Sequence, residues 1–308
     1  MKTLVTGGSG FIGSNLVRLL LDKKHKVRVL DNLSSGHKKN IDNLDVEFIY
    51  GDIRNQDVVD YATDDIDIIF HLAASVGRQK SIDNPQEDSS INIIGTLNII
   101  EAMKRRKIPK IVFSSSAAVY GELLTTVIDE NHELNPDSPY GVSKLAAEKH
   151  LLAAAEIFGF KAVCLRYFNV YGKNQRYDAY GNVIPIFANN LSKNKDIIIF
   201  GDGEQTRDFV NVKDVALANY LSATIEQDTN IFNIGSGNTI TINDLAKKMC
   251  EFHGLDVKVN YAPKRAGDVI HCKADIAKIN KRLGFTPGKN LEEELLEYLT
   301  WFNDDITT

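Results

Sequence analysis

Cysteine and long apolar runs are both scarce in this chain of 308 residues. The three cysteines, Cys164, Cys250 and Cys272, are scattered, with neither a metal-binding spacing nor a disulfide framework. We therefore expect free thiols and no metal site. No apolar stretch approaches the ~20 residues that a membrane-spanning helix needs, so a soluble protein with no membrane partner is expected.

An excess of positive charge is also missing, because 36 lysines and arginines are outnumbered by 41 aspartates and glutamates, for a net charge of −5. The densest basic cluster, residues 104–107, lies at the expected end of a helix, where it suits the negative end of the helix dipole. A nucleic-acid partner is therefore not expected. The first residues form a strand pattern with no basic-then-apolar leader, so the expected location is the cytoplasm.

The first half of the chain alternates short β-branched runs with longer helical patterns. This alternation is typical of βαβ units and a parallel sheet. The strand runs are almost continuously apolar, which indicates strands that are covered on both faces. Strands are predicted at residues 3–6, 26–30, 46–50, 66–71, 110–114 and 162–166, and helices at 11–23, 57–62, 85–106 and 139–158.

The pattern loosens after about Tyr167, which suggests two units in a chain of this length. We expect a Rossmann-type doubly wound parallel sheet in residues 1–167 and a smaller C-terminal α/β substrate domain in residues 168–308. A helix predicted at 214–225 and a strand at 231–234 would return to the large sheet, within about 210–235. The boundary is therefore expected to be discontinuous. A further helix is predicted at 242–253.

Three evenly spaced glycines, Gly7, Gly10 and Gly13, follow the first predicted strand and open the first predicted helix. Glycine leaves room there for a pyrophosphate to approach the backbone amides and the positive end of the helix dipole. A tight turn alone would explain an isolated trio in the spacing G-x-x-G-x-x-G. The strand before it and the helix after it favour a dinucleotide site.

Small and acidic residues follow the next strands. Asp31 ends the second predicted strand, eighteen residues after Gly13, where a carboxylate can accept hydrogen bonds from an adenosine ribose. It would repel a 2′-phosphate, which favours NAD over NADP. Asp52 is expected near the adenine, and Ala73 and Ala74 would keep the backbone close to the cofactor. Plain turn and packing roles would suit Asp52 and the two alanines equally well.

Tyr140 and Lys144 lie four residues apart in a predicted helix and so share one face of it. An ammonium group in that position can stabilise a phenolate. Bringing a tyrosine from its ordinary pKa of ~10 toward neutrality requires about 4 kcal/mol, which Lys144 and a cationic nicotinamide ring can supply together. The pair therefore predicts an acid–base catalyst.

These features belong to five motifs, and the chain resembles the extended short-chain dehydrogenase/reductase family in their content and order. Within that family, the likeness is greatest to the UDP-hexose 4-epimerases. The resemblance covers essentially the whole chain and implies NAD-dependent epimerisation at C4 of UDP-hexoses through a 4-keto intermediate. The motifs are residues 7–13, 31–32, 113–121, 140–144 and 166–169.

The resemblance assigns chemical roles to three side chains. Tyr140 would remove the proton of the sugar C4 hydroxyl while a hydride passes to NAD, and Lys144 would keep Tyr140 ionised and bind the nicotinamide ribose. Ser116 would hydrogen-bond the reacting hydroxyl. The implied cofactor contacts are Gly7, Gly10, Phe11, Ile12, Gly13, Asp31, Asn32, Asp52, Ile53, Leu72, Ala73, Ala74, Asn92, Ser114, Tyr140, Lys144 and Tyr167.

The resemblance also implies a binding site for the UDP-sugar in the second half of the chain. Arg207 and Arg265 match the family's two diphosphate ligands, and guanidinium forks suit a diphosphate. Asn169 and Asn182 match residues that bind the substrate phosphate and sugar. Phe200 matches a residue that lines the uracil pocket.

Two departures from relatives bear on the reaction. Family members that dehydrate or decarboxylate nucleotide sugars carry an acidic residue after the strand-five serines, whereas this chain has Ala117 and Ala118. Cys272 stands where galactose-restricted epimerases have a bulky tyrosine. The smaller side chain would leave room for an N-acetyl group, so UDP-N-acetylglucosamine and UDP-N-acetylgalactosamine are expected substrates besides UDP-glucose and UDP-galactose. Alternatively, Cys272 is a small buried residue with no sugar contact.

Other functions are also compatible with these motifs. A UDP-glucuronate 4-epimerase or another NAD-dependent nucleotide-sugar-modifying enzyme would share these motifs. A non-catalytic NAD-binding regulator is disfavoured, because it would not need Ser116, Tyr140 and Lys144 together.

The family resemblance further implies a homodimer in which helices 85–106 and 139–158 pair across a two-fold axis as a four-helix bundle. Apolar residues of the first helix would suit such a buried face, or would pack on the sheet instead. These residues are Ile91, Ile94, Leu97, Ile99 and Ala102.

Overall fold

The computed structural model describes residues 1–121, 123–177, 181–224, 229–254, 257–264, 271–288 and 290–307. The strands are β1 (Lys2–Thr6), β2 (Lys26–Asp31), β3 (Val46–Tyr50), β4 (Ile68–His71), β5 (Lys110–Ser116), β6 (Val127–Ile128), β7 (Lys161–Tyr167), β8 (Asn169–Tyr171), β9 (Ile197–Phe200), β10 (Thr206–Arg207), β11 (Phe209–Asn211), β12 (Asn230–Ile234), β13 (Ile240–Thr241), β14 (Val259–Ala262) and β15 (His271–Ala274). The helices are α1 (Phe11–Asp22), α2 (Gln56–Ala62), α3 (Arg78–Asp83), α4 (Pro85–Ser89), α5 (Gly95–Arg106), α6 (Pro139–Phe158), α7 (Val183–Leu191), α8 (Val212–Thr224), α9 (Ile242–His253), α10 (Ala277–Leu283) and α11 (Leu291–Thr307).

Seven strands form one parallel sheet in the order β3-β2-β1-β4-β5-β7-β12. The chain runs outward from β1 to β3 and then crosses back to β4, so the winding direction reverses between β1 and β4. In a doubly wound sheet, ligands bind in the crevice at that reversal, outside the carboxyl ends of the strands. The predicted Rossmann-type α/β fold is confirmed.

Alternation along the strands explains why helices cover both faces of this sheet. In β1, Leu4 contributes to the core shared with α2, α5 and α6, whereas Val5 contributes to the core shared with α1, α8 and α10. Both side chains are fully buried. Because consecutive residues of a strand point to opposite faces, a sheet with helices on both sides requires nearly continuous apolar strands.

The predicted elements of the first half begin and end within two residues of their predicted bounds, whereas α3 and β6 are not among the predicted elements. The best defined is α6, which starts after Ser138, where the hydroxyl oxygen accepts a hydrogen bond from the Gly141 N–H. Pro139 occupies the first turn, and Gly159 ends the helix with a φ of +77°. These residues are the ones that start and stop helices most effectively. The predicted helix 85–106 is also present, but a π-helical turn at Ser90–Ile94 joins α4 to α5.

The strand predicted at 231–234 does return to the large sheet, since β12 pairs in parallel with β7. The preceding helix, α8, contributes Val212, Val215 and Ala218 to the core that also contains α1. Segments from the second half of the sequence therefore complete the large sheet and one of its helical layers. The division of the chain at residue 167 stays a prediction.

The second half forms smaller sheets around a core of its own. Four strands pair in the order β13-β10-β15-β6, of which β6 comes from the first half of the chain, while β8 pairs with β11 and β9 with β14. The core is built mainly from α7, α9 and α11. Within the residues described, no helix combines the length and apolarity needed to cross a bilayer.

Candidate active site

A cavity of about 1300 Å³ extends along the carboxyl ends of the strands of the large sheet. It brings together most of the residues that the sequence analysis selects. Asn92 and Phe200 do not line it, and Arg265 lies outside the described residues. The selected residues that line it are Gly7, Gly10, Phe11, Ile12, Gly13, Asp31, Asn32, Asp52, Ile53, Leu72, Ala73, Ala74, Ser114, Ser116, Tyr140, Lys144, Tyr167, Asn169, Asn182, Arg207 and Cys272.

The glycine loop shapes one end of this cavity. Gly7 has a φ of +71°, and a Cβ atom there would lie 2.7 Å from the backbone nitrogen of Ala73. A Cβ atom on Gly13 would lie 2.1 Å from the carbonyl oxygen of Gly7. Gly10 caps α1 with no side chain over the helix end, and the first turn carries no acidic residue. The first amides of α1 therefore face the cavity as an anion site of the kind that holds a pyrophosphate.

Asp31 presents a carboxylate at the end of β2. Its two oxygens accept hydrogen bonds from the backbone N–H groups of Ser9, at 2.9 Å, and Leu33, at 2.8 Å. Burial raises the pKa of Asp31, and these two hydrogen bonds oppose that shift. The bonds fix the carboxylate at the cavity wall, and its remaining lone pairs can accept from a ribose hydroxyl.

Asp52 is already engaged by protein side chains. Arg54 donates to both of its oxygens, at 2.9 and 2.7 Å, and Asn32 donates to one of them at 2.9 Å. The Arg54 hydrogen bonds are the main reason that the pKa of Asp52 falls to about 2. Asp52 and Asn32 thus form one rigid unit on the cavity wall beside β2 and β3.

A series of hydrogen-bonded, buried polar groups lies behind the cavity at the end of β4. These groups are not among the predicted site residues. The Thr6 hydroxyl is 2.7 Å from Nδ1 of His71, and Nε2 of His71 is 3.0 Å from the Thr96 hydroxyl. Because the Thr96 hydroxyl donates to the Asn92 carbonyl, we assign the ring proton of His71 to Nε2. Burial lowers the pKa of His71 to about 3. His71 is therefore neutral, and Thr6 also accepts from the Ala73 N–H at 3.1 Å.

Ser116, Tyr140 and Lys144 meet on the cavity wall, where the Ser116 hydroxyl is close enough to the Tyr140 phenol to lower the pKa of that phenol. Lys144 and a cationic nicotinamide ring together are predicted to lower the pKa of Tyr140, and this stays a prediction. In the polypeptide alone, burial raises the pKa of Tyr140 to about 12, and Ser116 opposes that shift. Burial also lowers the pKa of Lys144 to about 8, and its ammonium lies 4.5 Å from the ring centroid of Phe113.

Asn92 does not line the cavity, but it is hydrogen-bonded to the backbone of Ser75, which does. Its side-chain oxygen accepts from the Ser75 N–H at 2.9 Å, and its side-chain nitrogen donates to the Ser75 carbonyl at 3.0 Å. The same nitrogen lies 3.2 Å from Oδ1 of Asp88 and 3.0 Å from the hydroxyl of Ser143. These four polar groups hold the segment after β4 against α4 and α6.

The candidate substrate residues converge on the same cavity from the second half of the chain. Arg207 and Cys272 are neighbours in register across β10 and β15. The side-chain nitrogen of Asn169 donates to the Asp208 carbonyl at 3.1 Å, and that of Asn182 lies 3.4 Å from the Val170 carbonyl. Each asparagine therefore keeps its side-chain oxygen available as an acceptor within the cavity. Their role in substrate binding stays a prediction.

Comparison with known proteins gives a consistent picture. Residues 3–235 match the model of the NAD dependent epimerase/dehydratase family. The UDP-glucose 4-epimerase of Thermotoga maritima, solved with UDP-glucose, has 37% identity and a TM-score of 0.95 over 99% of this chain and 100% of its own. The UDP-N-acetylglucosamine 4-epimerase of Methanobrevibacter ruminantium, solved with UDP-N-acetylmuramic acid, has 38% identity and a TM-score of 0.94 over 99% of this chain and 98% of its own. The Thermus thermophilus UDP-glucose 4-epimerase, solved with NAD, has 34% identity and a TM-score of 0.90 over 98% of this chain and 99% of its own.

Proposed function

This chain belongs to the NAD-dependent epimerase/dehydratase family, uses NAD as its cofactor, and, we propose, interconverts UDP-hexoses at C4 through a 4-keto intermediate. One observation carries the proposal. Ser116, Tyr140 and Lys144 line the same cavity as the glycine loop and Asp31. An acid–base group therefore lies within one cavity with a site for a dinucleotide. The similar enzymes of known structure with UDP-sugars bound support the choice of substrate class.

The residues of the cavity fit NAD. The free amides at the start of α1 would hold the pyrophosphate, and Asp31 would accept from the adenosine ribose. Lys144 would bind the nicotinamide ribose, and Tyr167, at the end of β7, lines the same cavity.

In the proposed reaction, Tyr140 removes the proton from the C4 hydroxyl and later returns it to the same oxygen. Between these two steps the 4-keto sugar turns over in the site, so that C4 takes the hydride back on its other face. The chemistry that bound NAD would supply is the reversible acceptance of a hydride from C4. Ser116 holds the reacting hydroxyl beside the phenol, whose pKa it lowers. Burial holds the pKa of Tyr140 at about 12, so positive charge near the ring is needed to ionise it, and Lys144 is the cationic side chain on the same helix face.

The substrate range follows from the size of Cys272. This side chain lines the cavity beside Arg207, which we propose as a ligand of the diphosphate. A cysteine is several atoms smaller than a tyrosine, so an N-acetyl group on C2 of the sugar would have space. We therefore include UDP-N-acetylglucosamine and UDP-N-acetylgalactosamine among the substrates.

Incubation of the purified protein with each UDP-sugar, followed by proton NMR of the products, tests the reaction. We expect the C4 epimer to form from UDP-glucose and UDP-N-acetylglucosamine, with no net consumption of NAD. Conversion of UDP-glucuronate alone, or of no UDP-sugar, would contradict the proposal.

The variant Cys272→Tyr tests the substrate range. It should lower kcat/KM for the acetylated substrates by about tenfold or more, because overpacking a fitted site is costly, and should leave kcat/KM for UDP-glucose close to the wild-type value. Cys272→Ser, which keeps the small volume, is the matched control and should keep both activities. Equal rates for Cys272→Tyr and wild type on UDP-N-acetylglucosamine would contradict this role.

We also propose that the protein forms a homodimer through α5 and α6. Not all of the apolar residues predicted for the dimer interface are accessible to a partner. Ile99 and Ala102 pack in the core beneath the sheet and are not available to a partner. Ile94 is 49% exposed, and Val142 on α6 is 51% exposed. Light scattering should give twice the chain mass for the wild type and a lower mass for the double variant Ile94→Lys/Val142→Lys. A monomeric wild type would contradict the dimer.

A further inference from the structure

Asp88 is a buried carboxylate behind the catalytic turn, and no step of the proposed reaction uses it. We propose that Asp88 is a positioning residue, which holds the Tyr140–Lys144 turn of α6 in place and acts as the counter-charge of the Lys144 ammonium. This inference rests on the proposed function in one respect only, the use of Tyr140 and Lys144 as the acid–base pair.

Asp88 is hydrogen-bonded directly to the Tyr140–Lys144 turn of α6. Ser143, the residue between Val142 and Lys144, donates from its hydroxyl to Oδ2 of Asp88 at 2.5 Å. That hydroxyl has one hydrogen, and its contact with the Tyr140 carbonyl is longer, at 3.0 Å. Asn92 donates to Oδ1 of Asp88 and thereby links α4 to the π-helical turn. Asp88 and Ser143 are both buried, so these bonds join two helices without competition from water.

The burial of both groups and the pairing of the neighbouring charges favour Asp88 as the counter-charge of Lys144. Asp88 is 1% exposed and Lys144 is 2% exposed, and an unbalanced buried charge is costly. Among the residues described, neither group forms an ion pair within 4.0 Å. The other carboxylate near Lys144 is Glu148, one turn along α6, and its oxygens are already bound by Arg166.

The remaining titratable groups that face this pair do not supply a negative charge. His71, on β4, is neutral because burial lowers its pKa to about 3. Cys164, on β7, stays a thiol because burial raises its pKa. Tyr167, also on β7, stays a phenol because burial raises its pKa. Asp88 is accordingly the first electrostatic influence that favours the charged form of Lys144.

The proposal predicts a specific change of pH dependence. A nearby negative charge raises the pKa of an ammonium, because it favours the charged form, and raises the pKa of a phenol, because it disfavours the phenolate. Asp88 has both effects, on Lys144 and on Tyr140. Removal of its charge should therefore lower both values. The acidic and alkaline limbs of the pH–rate profile should then both move to lower pH.

The test compares two variants. Asp88→Asn removes the negative charge of Asp88, whereas Ser143→Ala removes the hydrogen bond between Ser143 and Asp88 and keeps that charge. Asp88→Asn should shift both limbs of the kcat profile by about one pH unit toward acid, and Ser143→Ala should lower kcat without such a shift. In protein labelled with [ε-¹³C]lysine, the NMR titration of Lys144, assigned by its absence in Lys144→Ala, should show the same acid shift in Asp88→Asn. An unshifted profile together with an unshifted Lys144 titration would overturn the proposal.

The NMR titration requires no turnover, so it tests Asp88 even if the protein epimerises no UDP-sugar. A second measurement, on the wild-type protein, covers the case in which Asp88→Asn does not fold. In the wild-type protein labelled with [γ-¹³C]aspartate, the proposal requires a carboxylate chemical shift for Asp88 at neutral pH, and a protonated carboxyl would overturn it.

Discussion

Glu148 and Arg166 form an ion pair that is closed off from solvent between α6 and β7, with side chains 0% and 1% exposed. Ser115, the neighbour of Ser116 on β5, donates to Oε2 of Glu148 at 2.7 Å. On the other side, Arg166 donates to the Tyr120 hydroxyl at 3.0 Å. The pair thus ties the strand that carries Ser116 to the helix that carries Lys144.

Breaking this pair should strongly destabilise the protein. Glu148→Gln leaves the Arg166 guanidinium buried without its counter-charge, and such changes cost about 3–5 kcal/mol. Urea denaturation at pH 7 gives the free energy of unfolding. The matched control is Glu297→Gln, which removes an exposed pair with Lys213 and should cost less than about 1 kcal/mol. Equal losses in the two variants would mean that burial of the first pair has no energetic consequence.

His71 should make the stability depend on pH. The unfolded chain protonates this histidine below about pH 6.5, whereas the folded protein keeps it neutral down to about pH 3. The unfolded state therefore binds more protons in this window, and stability falls as the pH falls. Between pH 6.5 and 5 the loss from this one group is about 2 kcal/mol.

Two variants isolate this contribution. In His71→Gln, the free energy of unfolding should decline less steeply between pH 6.5 and 5 than in the wild type. His150→Gln, at an exposed position of α6, should keep the wild-type slope. A wild-type slope in His71→Gln would show that the buried ring does not resist protonation.

Gly13→Ala should impair NAD binding through backbone geometry alone. The added Cβ would lie 2.1 Å from the Gly7 carbonyl oxygen, so the loop must move and displace the first amides of α1. We expect the Kd for NAD to rise by about tenfold or more, as measured by calorimetry. Gly284→Ala is the control, because its Cβ meets nothing within 4 Å. It should cost about 1–2 kcal/mol of stability for its positive φ yet keep the wild-type Kd. An unchanged Kd in Gly13→Ala would contradict this account of the loop.

The sequence predicts the first half of the fold well because its signals are local. Strand and helix periods differ, and residues such as Pro139 and Gly159 mark helix ends by their own conformational limits. Neither α7 nor α11 is among the predicted elements. In α7, three β-branched residues and Pro185 occupy positions 183–186, and these residue types have low helix propensity. In α11, three glutamates in the first turn obscure the apolar face that packs on α9. Both segments are helical because of their tertiary packing rather than their local sequence.

The candidate site also combines features that local sequence predicts with features that only the tertiary structure reveals. Fixed spacings within one segment identify the glycine loop and the Tyr140–Lys144 pair. The hydrogen bond between Asp88 and Ser143 joins residues 55 positions apart, and no local pattern predicts it. The four-residue spacing of Asp88 and Asn92 places both on one helix face, but only the fold shows that α6 lies against it.

The central claim is that Tyr140 is the proton acceptor and donor of the epimerisation, and the most direct measurement is kcat of Tyr140→Phe with UDP-glucose. The substitution removes the phenol oxygen and leaves the ring, so the fold and NAD binding should persist. We expect kcat to fall by about a thousandfold, as the loss of a general acid–base group requires. A folded, NAD-binding Tyr140→Phe protein with the wild-type rate would contradict the account.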